Sequence, residues 1–306
     1  MAKHGEHILF IGTFTRDTAS EGIYTARFDS VSGELSLTGA LYSEDNPTFL
    51  ALAPSREILY AVNEVNDVAG MASGAITAFA IDPGDGALKV LNRKPTGGPG
   101  PCYLSLDATG RFVLATNFFD PARDGGSICV LPTASDGQLE EVSDFHLLEG
   151  SGRIPMAQEK PRVHSIISDP SNRFVLGANV GTDRIHVYRL QAQHGTLERH
   201  DPWAQLATGS GPRHMCFSPD GRWLFAVNEQ DSSATLCSWD QATGTLTPVQ
   251  HISTLPEGFT ETNHCADIHV APSGRYLYCS NRGHDSIAIF SFDPARGELS
   301  IRTHGC

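Results

Sequence analysis

Four residues in this chain are of types that can bind an anion and move a proton, and they stand at related places in a repeating pattern: His164, Arg213, Glu229 and Arg282. Two guanidinium groups can hold a carboxylate or phosphate through paired, charge-assisted hydrogen bonds, in a planar geometry that Lys cannot match. A His or Glu beside them can carry a proton when its pKa sits near the working pH. His214, Asp267 and His269 lie close by in the chain and join the set, with the two Arg, as candidate substrate-binding residues. Taken singly, each has a plainer explanation. A His at a strand start is more often a structural hydrogen-bonder, and an Arg or Glu at a loop edge is usually solvated or ion-paired. What lifts them above that is their position.

The pattern is clearest in GPRHMCFSPDGRWLFAVNE, residues 211–229. It has a Gly-Pro opening, an apolar strand, a Pro-Asp-Gly type turn, and a second strand running into Asn. Five copies can be anchored on the turn residue, at Pro54, Ala108, Pro170, Pro219 and Pro272, and nine residues after each anchor stands an Asn: Asn63, Asn117, Asn179, Asn228 and Asn281. Successive anchors lie 54, 62, 49 and 53 residues apart, a period that belongs to repeat architectures. Six residues before the anchor the series reads Thr48, Cys102, His164, Arg213, Ala266; one residue after the Asn it reads Glu64, Phe118, Val180, Glu229, Arg282. Structural positions should repeat, and these do not. Unlike groups at matching places are what a shared site assembled from several repeats requires. The Asn residues do repeat, and are read as braces for the turn after the second strand.

Each unit holds about four strand-like runs, for example RHMCFSP, WLFAVNE, ATLCSWD and GTLTPVQ, and no segment has the caps and periodicity of an amphipathic helix. The turn between the third and fourth runs recurs as DSVSGEL, DPGDGAL, DQATGTL and DPARGEL, with Asp to open it and Gly to supply a positive φ. Four strands per unit, repeated, predict an all-β fold: a β-propeller of four-stranded antiparallel blades, in one domain over residues 1–306. The blades are expected near residues 8–41, 46–93, 100–145, 160–201, 211–253 and 263–305. The first has three strands, and the sequence stops just after the fourth strand of the sixth. About one C-terminal repeat is therefore expected to be missing. Long connections are expected at residues 117–126, 146–161 and 251–264, on the face where first strands start and second strands end, and such loops commonly carry function.

The formal net charge of −13 argues against nucleic acid or an anionic membrane as partner. It leaves room for a small anionic substrate held by a local Arg/His cluster; the sequence assigns no protein partner. Seven scattered Cys (Cys102, Cys129, Cys216, Cys237, Cys265, Cys279 and Cys306) without a CxxC pair read as reduced thiols in a cytoplasmic protein. No signal peptide or membrane-spanning run is recognised. There is no nucleophile elbow, phosphate-binding loop, zinc motif or dinucleotide fingerprint, and the His residues lack metal-ligand spacing. Neither a metal nor another cofactor is expected. Cys216 and Cys279 sit mid-strand and read as core.

FIGTFT, GIYTARFD followed by SGELSL, NPTFLALAP with LYAVNE, PRVHSIISDP, GPRHMCFSPDGRWLFAVNE and SNRGHDSIAIF together resemble the lactonase-type seven-bladed propellers. This family includes bacterial 6-phosphogluconolactonases and fungal 3-carboxy-cis,cis-muconate lactonizing enzymes. The resemblance covers essentially the whole chain and implies seven blades. It also implies that His164, Arg213, Glu229 and Arg282 form the active site, acting without a metal on lactones or on carboxylates that close to lactones. Expected activity is thus hydrolysis of a sugar lactone, 6-phosphogluconolactone first, with His164 or Glu229 activating water or protonating the leaving oxygen. The competing expectations are a cycloisomerase using the same residues and a non-catalytic propeller serving as a binding scaffold.

Overall fold

The computed structural model describes residues 5–305, and every named element in it is a β-strand. Cys306 lies outside the described residues. By contacts the chain divides into two compact units, residues 1–120 with 129–145, and residues 121–128 with 146–306.

The first unit contains a three-stranded sheet of β1 (Glu6–Ile11), β2 (Gly22–Asp29) and β3 (Leu35–Ser43). It also contains a four-stranded sheet of β4 (Leu50–Leu52), β5 (Ile58–Asn63), β6 (Ala75–Ile81) and β7 (Leu88–Pro95). A further sheet is ordered β11-β10-β9-β8, from β8 (Pro101–Leu106), β9 (Phe112–Asp120), β10 (Gly125–Pro132) and β11 (Asp144–Leu147); the division between units falls within its strands.

The second unit carries three regular sheets. They are β12 (Val163–Ser168), β13 (Phe174–Asn179), β14 (Arg184–Gln191) and β15 (Thr196–Gln205); β16 (Pro212–Phe217), β17 (Trp223–Asn228), β18 (Ser233–Asp240) and β19 (Thr245–Ser253); and β20 (His264–Val270), β21 (Tyr276–Arg282), β22 (Ser286–Asp293) and β23 (Glu298–Gly305). Each is a sequential antiparallel meander. The expected all-β propeller of four-stranded antiparallel blades is what forms, and the first sheet has the expected three strands.

The recurring Asp…Gly turn shows why the repeat is legible. In the β18–β19 connection the Asp240 carboxylate accepts the Ala242 N–H at 2.8 Å, and the Gly244 N–H closes onto the Asp240 carbonyl at 2.8 Å. Gly244 has φ 75°, and a Cβ there would lie 2.3 Å from the Phe174 ring. The same Asp-capped turn forms at Asp29, Asp82 and Asp293.

In the second unit two apolar layers hold successive sheets together. Phe174, Leu176, Ile185, Leu224, Trp239 and their neighbours join the β12–β15 and β16–β19 sheets. Phe225, Leu236, Ile268, Leu277, Phe290 and Phe292 join β16–β19 to β20–β23. Cys279 is fully buried in the second layer and Cys216 packs against it, and burial pushes the Cys216 thiol up to about 12. Both behave as core, as their mid-strand positions suggested. The six described cysteines are all free thiols.

Two local expectations are corrected. The presumed long connection at residues 117–126 is largely strand, because β9 runs on to Asp120 and β10 starts at Gly125. The run QLEEVSDF contributes only its end to β11; Leu139 instead forms a lone bridge with Thr133.

The repeated Asn residues brace strand ends. Asn228 donates to Ser233 and Thr235 hydroxyls at 2.8 Å each, and Asn281 donates to the Thr254 carbonyl at 3.0 Å. Asn179 accepts the Arg162 N–H at 2.9 Å. A side-chain amide that satisfies backbone and hydroxyl partners in a buried place fixes the geometry from which the next residue, Val180, Glu229 or Arg282, departs.

Candidate active site

The device that builds the site is a β-bulge in the first strand of each of the three sheets of the second unit, β12, β16 and β20. In β12, Val163 pairs with Asn179 and Ser165 with Ala178, leaving His164 as the extra residue. In β16, Pro212 pairs with Asn228 and His214 with Val227, leaving Arg213. In β20 the register jumps from Cys265–Asn281 to Ile268–Cys279, so Ala266 and Asp267 share the opening. A bulge releases one residue from the strict alternation of sides and re-aims its side chain. That is why adjacent residues such as Arg213 and His214 can both enter one cluster, which a regular strand forbids.

Gly211 prepares this bulge. Its φ is +65°, and a Cβ there would come within 2.6 Å of the Gln230 side chain. Pro212 follows at the edge of the sheet, where the absence of an N–H is tolerated. Glu229 is tied to the same turn by its N–H to the Gly211 carbonyl, at 2.8 Å.

The side chains converge. Arg213 Nε lies 3.0 Å from Glu229 Oε2, with the two side chains 14% and 20% exposed. Arg282 Nη2 approaches the other oxygen, Oε1, at 3.7 Å, and its side chain is 53% exposed. Arg213 Nη1 also donates to the Ala266 carbonyl at 2.5 Å, so the one apolar member of the series contributes its backbone. His164 and His214 meet edge to face, ring centroids 5.1 Å apart. His214 Nδ1 is 2.8 Å from Asp267 Oδ1, and His269 Nε2 is 2.9 Å from Asp267 Oδ2. His164, Arg213, Glu229 and Arg282 thus come together, with His214 and Asp267 adjoining. His269 is attached at the exposed rim.

Electrostatics sort the titratable groups. Burial, with the Arg213 and His214 charges next in weight, drives His164 well below its ordinary 6.5. Burial likewise pushes His214 down to about 4, against the hydrogen bond from Asp267 that opposes it. Asp267 is raised by burial, but hydrogen bonds from His214 and His269 outweigh this and hold its carboxyl far below the usual range. His269 is raised by its hydrogen bond to Asp267. At neutral pH the His164 and His214 imidazoles are therefore neutral and the Asp267 carboxyl is ionised. A neutral imidazole beside guanidinium groups can take a proton from water while the cations stabilise a developing oxyanion. Among the described residues no group of three or more His, Cys, Asp or Glu is arranged to hold a metal ion.

The sequence reading missed the supports. Asp183, buried and at φ 56°, accepts the Gly209 and Gly211 N–H groups at 2.7 and 2.8 Å, together with Gln158 Nε2 at 2.5 Å. Gln158, fully buried in the loop before β12, also accepts the Arg153 and Ile154 N–H groups. The chain Gln158–Asp183–Gly211 thus fastens that loop to the turn that launches Arg213. One signal was available: Asp183, Ser232 and Asp285 each stand four residues after a repeated Asn, and each has positive φ.

Residues 8–305 match the family model described as lactonase, seven-bladed β-propeller. The chain is 31% identical over 296 residues to a 6-phosphogluconolactonase of Bacillus subtilis, covering 97% of this chain and 80% of the relative. To a 6-phosphogluconolactonase of Formosa agariphila it is 30% identical over 301 residues, covering 97% and 82%. A solved periplasmic gluconolactonase of Pseudomonas aeruginosa superposes with TM-score 0.89 at 30% identity, covering 98% of this chain and 82% of that one. With a match along nearly its whole length, this chain belongs to the lactonase family of seven-bladed β-propellers, and its described residues form six of the family's sheets.

Proposed function

We propose that the protein hydrolyses a sugar lactone, 6-phospho-D-glucono-1,5-lactone being the first candidate, at the cluster of His164, Arg213, Glu229 and Arg282. The observation that carries this reading is the pairing of two guanidinium groups around Glu229 beside a neutral, largely desolvated His164. Arg282, the more exposed of the two, meets the incoming anionic substrate. Arg213 polarises the lactone carbonyl and stabilises the oxyanion. Both Glu229 oxygens face guanidinium groups, so Glu229 serves to orient them and His164 is the better base.

The steps balance without a co-reactant. His164 takes a proton from water as its oxygen bonds to the carbonyl carbon. The tetrahedral intermediate collapses with cleavage of the bond to the ring oxygen, which receives the proton from His164. The product is the open-chain acid, ionised at neutral pH. The reaction needs no metal ion, a reading supported by the donor set at the cluster, and chelator treatment is expected to leave the rate unchanged. The acidic chain suits neither nucleic acid nor an anionic membrane as partner, and its free thiols suit a reducing compartment such as the cytoplasm.

The test is lactone hydrolysis by purified protein above the spontaneous rate, side by side with an assay for cycloisomerisation of 3-carboxy-cis,cis-muconate. Acceleration of ring opening that is lost on Arg213→Ala supports the reading. Activity only on the muconate, or unchanged hydrolysis in both Arg213→Ala and Arg282→Ala, overturns it.

A further inference from the structure

We infer that Asp267 and His214 are positioning residues for Arg213: Asp267 fixes His214 as the Nδ1–H tautomer, and the lone pair left on Nε2 steers the Arg213 guanidinium. This deepens the lactonase reading and rests on it for its kinetic consequence. It moves His214 and Asp267 from direct contact with substrate to a place behind Arg213.

Donors and acceptors around the imidazole fix where its proton sits. A carboxylate can only accept, so the 2.8 Å contact from Asp267 Oδ1 places the ring proton on His214 Nδ1. A guanidinium can only donate, so the 3.4 Å approach of Arg213 Nη1 is favourable only toward an Nε2 that carries a lone pair. The neutral form satisfies both contacts at once. The other tautomer sets the Nε2–H against the Arg213 N–H and turns the Nδ1 lone pair toward the Asp267 carboxylate, so both contacts become unfavourable. His214 is 5% exposed, so water cannot relieve the mismatch.

Asp267 is itself pinned for this task. Its Oδ1 also accepts the Ile268 N–H at 2.9 Å, its own N–H reaches the Ser280 hydroxyl at 2.9 Å, and Oδ2 takes the His269 contact. The bulge in β20 sets both Asp267 and the Ala266 carbonyl that accepts from the same Arg213 nitrogen. Arg213 is thereby held along its Nε and Nη1 edge by Glu229, Ala266 and His214, from two neighbouring sheets. A donor fixed before the substrate arrives costs no reorganisation when charge develops on the carbonyl oxygen.

The test uses Asp267→Asn, which keeps the shape and removes the obligate acceptor. In the unsubstituted protein the imidazole nitrogen resonances of His214 are expected to show the proton on Nδ1, and the Arg213 guanidinium protons to exchange with water more slowly than those of the exposed Arg296. In Asp267→Asn both signatures are lost. Lactone kcat/KM falls by about tenfold, and that loss disappears in an Arg213→Ala background, the signature of coupled residues. A His214 proton on Nε2 in the unsubstituted protein overturns the inference. So does an Asp267→Asn loss of equal size with and without Arg213. The tautomer is read without any variant, so a failure of Asp267→Asn to fold does not remove the test. If the protein proves inactive on lactones, the activity reading fails while the resonance measurements still decide the positioning claim.

Discussion

Arg213 and Arg282 approach opposite oxygens of a single carboxylate, Arg213 Nε at 3.0 Å from Oε2 of Glu229 and Arg282 Nη2 at 3.7 Å from Oε1. The carboxylate holds apart two cations that otherwise repel and gives each a fixed orientation. Glu229→Gln removes the charge and keeps the shape, leaving two guanidinium groups without a shared counter-ion. The expected result is a drop in kcat/KM of about tenfold or more together with tighter inhibition by the acid product, since an added anion then replaces the missing one. Inhibition constants measured with 6-phosphogluconate check both halves.

The two Arg are not equivalent. Arg213 is the more buried and is gripped from two sheets, whereas Arg282 is half exposed. Arg213→Ala is expected to lower kcat by about 10²–10³, the usual effect of losing one preorganised oxyanion donor. Arg282→Ala is expected to act mainly on KM. Steady-state kinetics that showed the reverse partition would exchange their roles.

The acid limb of the pH–rate profile reports His164. Burial and the facing cations Arg213 and Arg282, with His214 alongside, favour its neutral form and shift its titration below 6.5. The base form therefore persists as pH falls from neutral through 6.5, and activity is lost only at lower pH. In Arg213→Ala one of those cations is gone, so the His164 titration, followed by NMR, is expected to move back up toward its ordinary value. No movement would mean that Arg213 does not act on His164.

Stability at acid pH should depend on a histidine outside the site. His186 is buried in β14, its Nε2 has no hydrogen-bond partner among the described residues, and burial with Arg184 and Arg199 pushes it down to about 4. The unfolded chain binds a proton near 6.5 while the folded one does not. Stability is therefore whole above 6.5 and declines as pH falls toward 4, by about 3 kcal/mol for this group. Urea denaturation at pH 7 and pH 4.5 should show the decline, and His186→Leu should make it shallower by this group's share, the buried His164 and His214 supplying the rest.

Asp183→Ala strips the buried Gly211 N–H and the half-buried Gly209 N–H of their acceptor and frees Gln158 from its tether. A loss of about 2–4 kcal/mol in stability is expected from the unsatisfied donors. A fall in kcat/KM should accompany it, because Gly211 sets the turn that carries Arg213. Asp183→Asn retains one acceptor oxygen and should recover part of both, which thermal melts and kinetics can follow.

Much of this was readable in one dimension, for a physical reason. A repeated sheet needs the same turn chemistry each time, so Asp240 and Gly244, with their counterparts in the other turns, recur in register. A buried Asn that satisfies strand ends cannot be exchanged freely, so Asn179, Asn228 and Asn281 recur too. Against that regular background the irregular residues, His164, Arg213, Glu229 and Arg282, stood out as a set. The short β11 and the strand-filled segment at residues 117–126 were not readable, because loop and strand there share the same residue types and pairing partners decide between them.

The amino-acid order alone determined the four-stranded blades and the family, because local turn geometry and alternating burial are written in neighbouring residues. Only the tertiary structure decided how the site is wired. The bulge that frees Arg213 from the strand alternation depends on how β16 registers against β17, Pro212 on Asn228 and His214 on Val227. The contact of His214 with Asp267, 53 residues away, depends on two sheets packing side by side. Interactions of that range have no signature in local sequence, since their energy arises only when the intervening chain has folded.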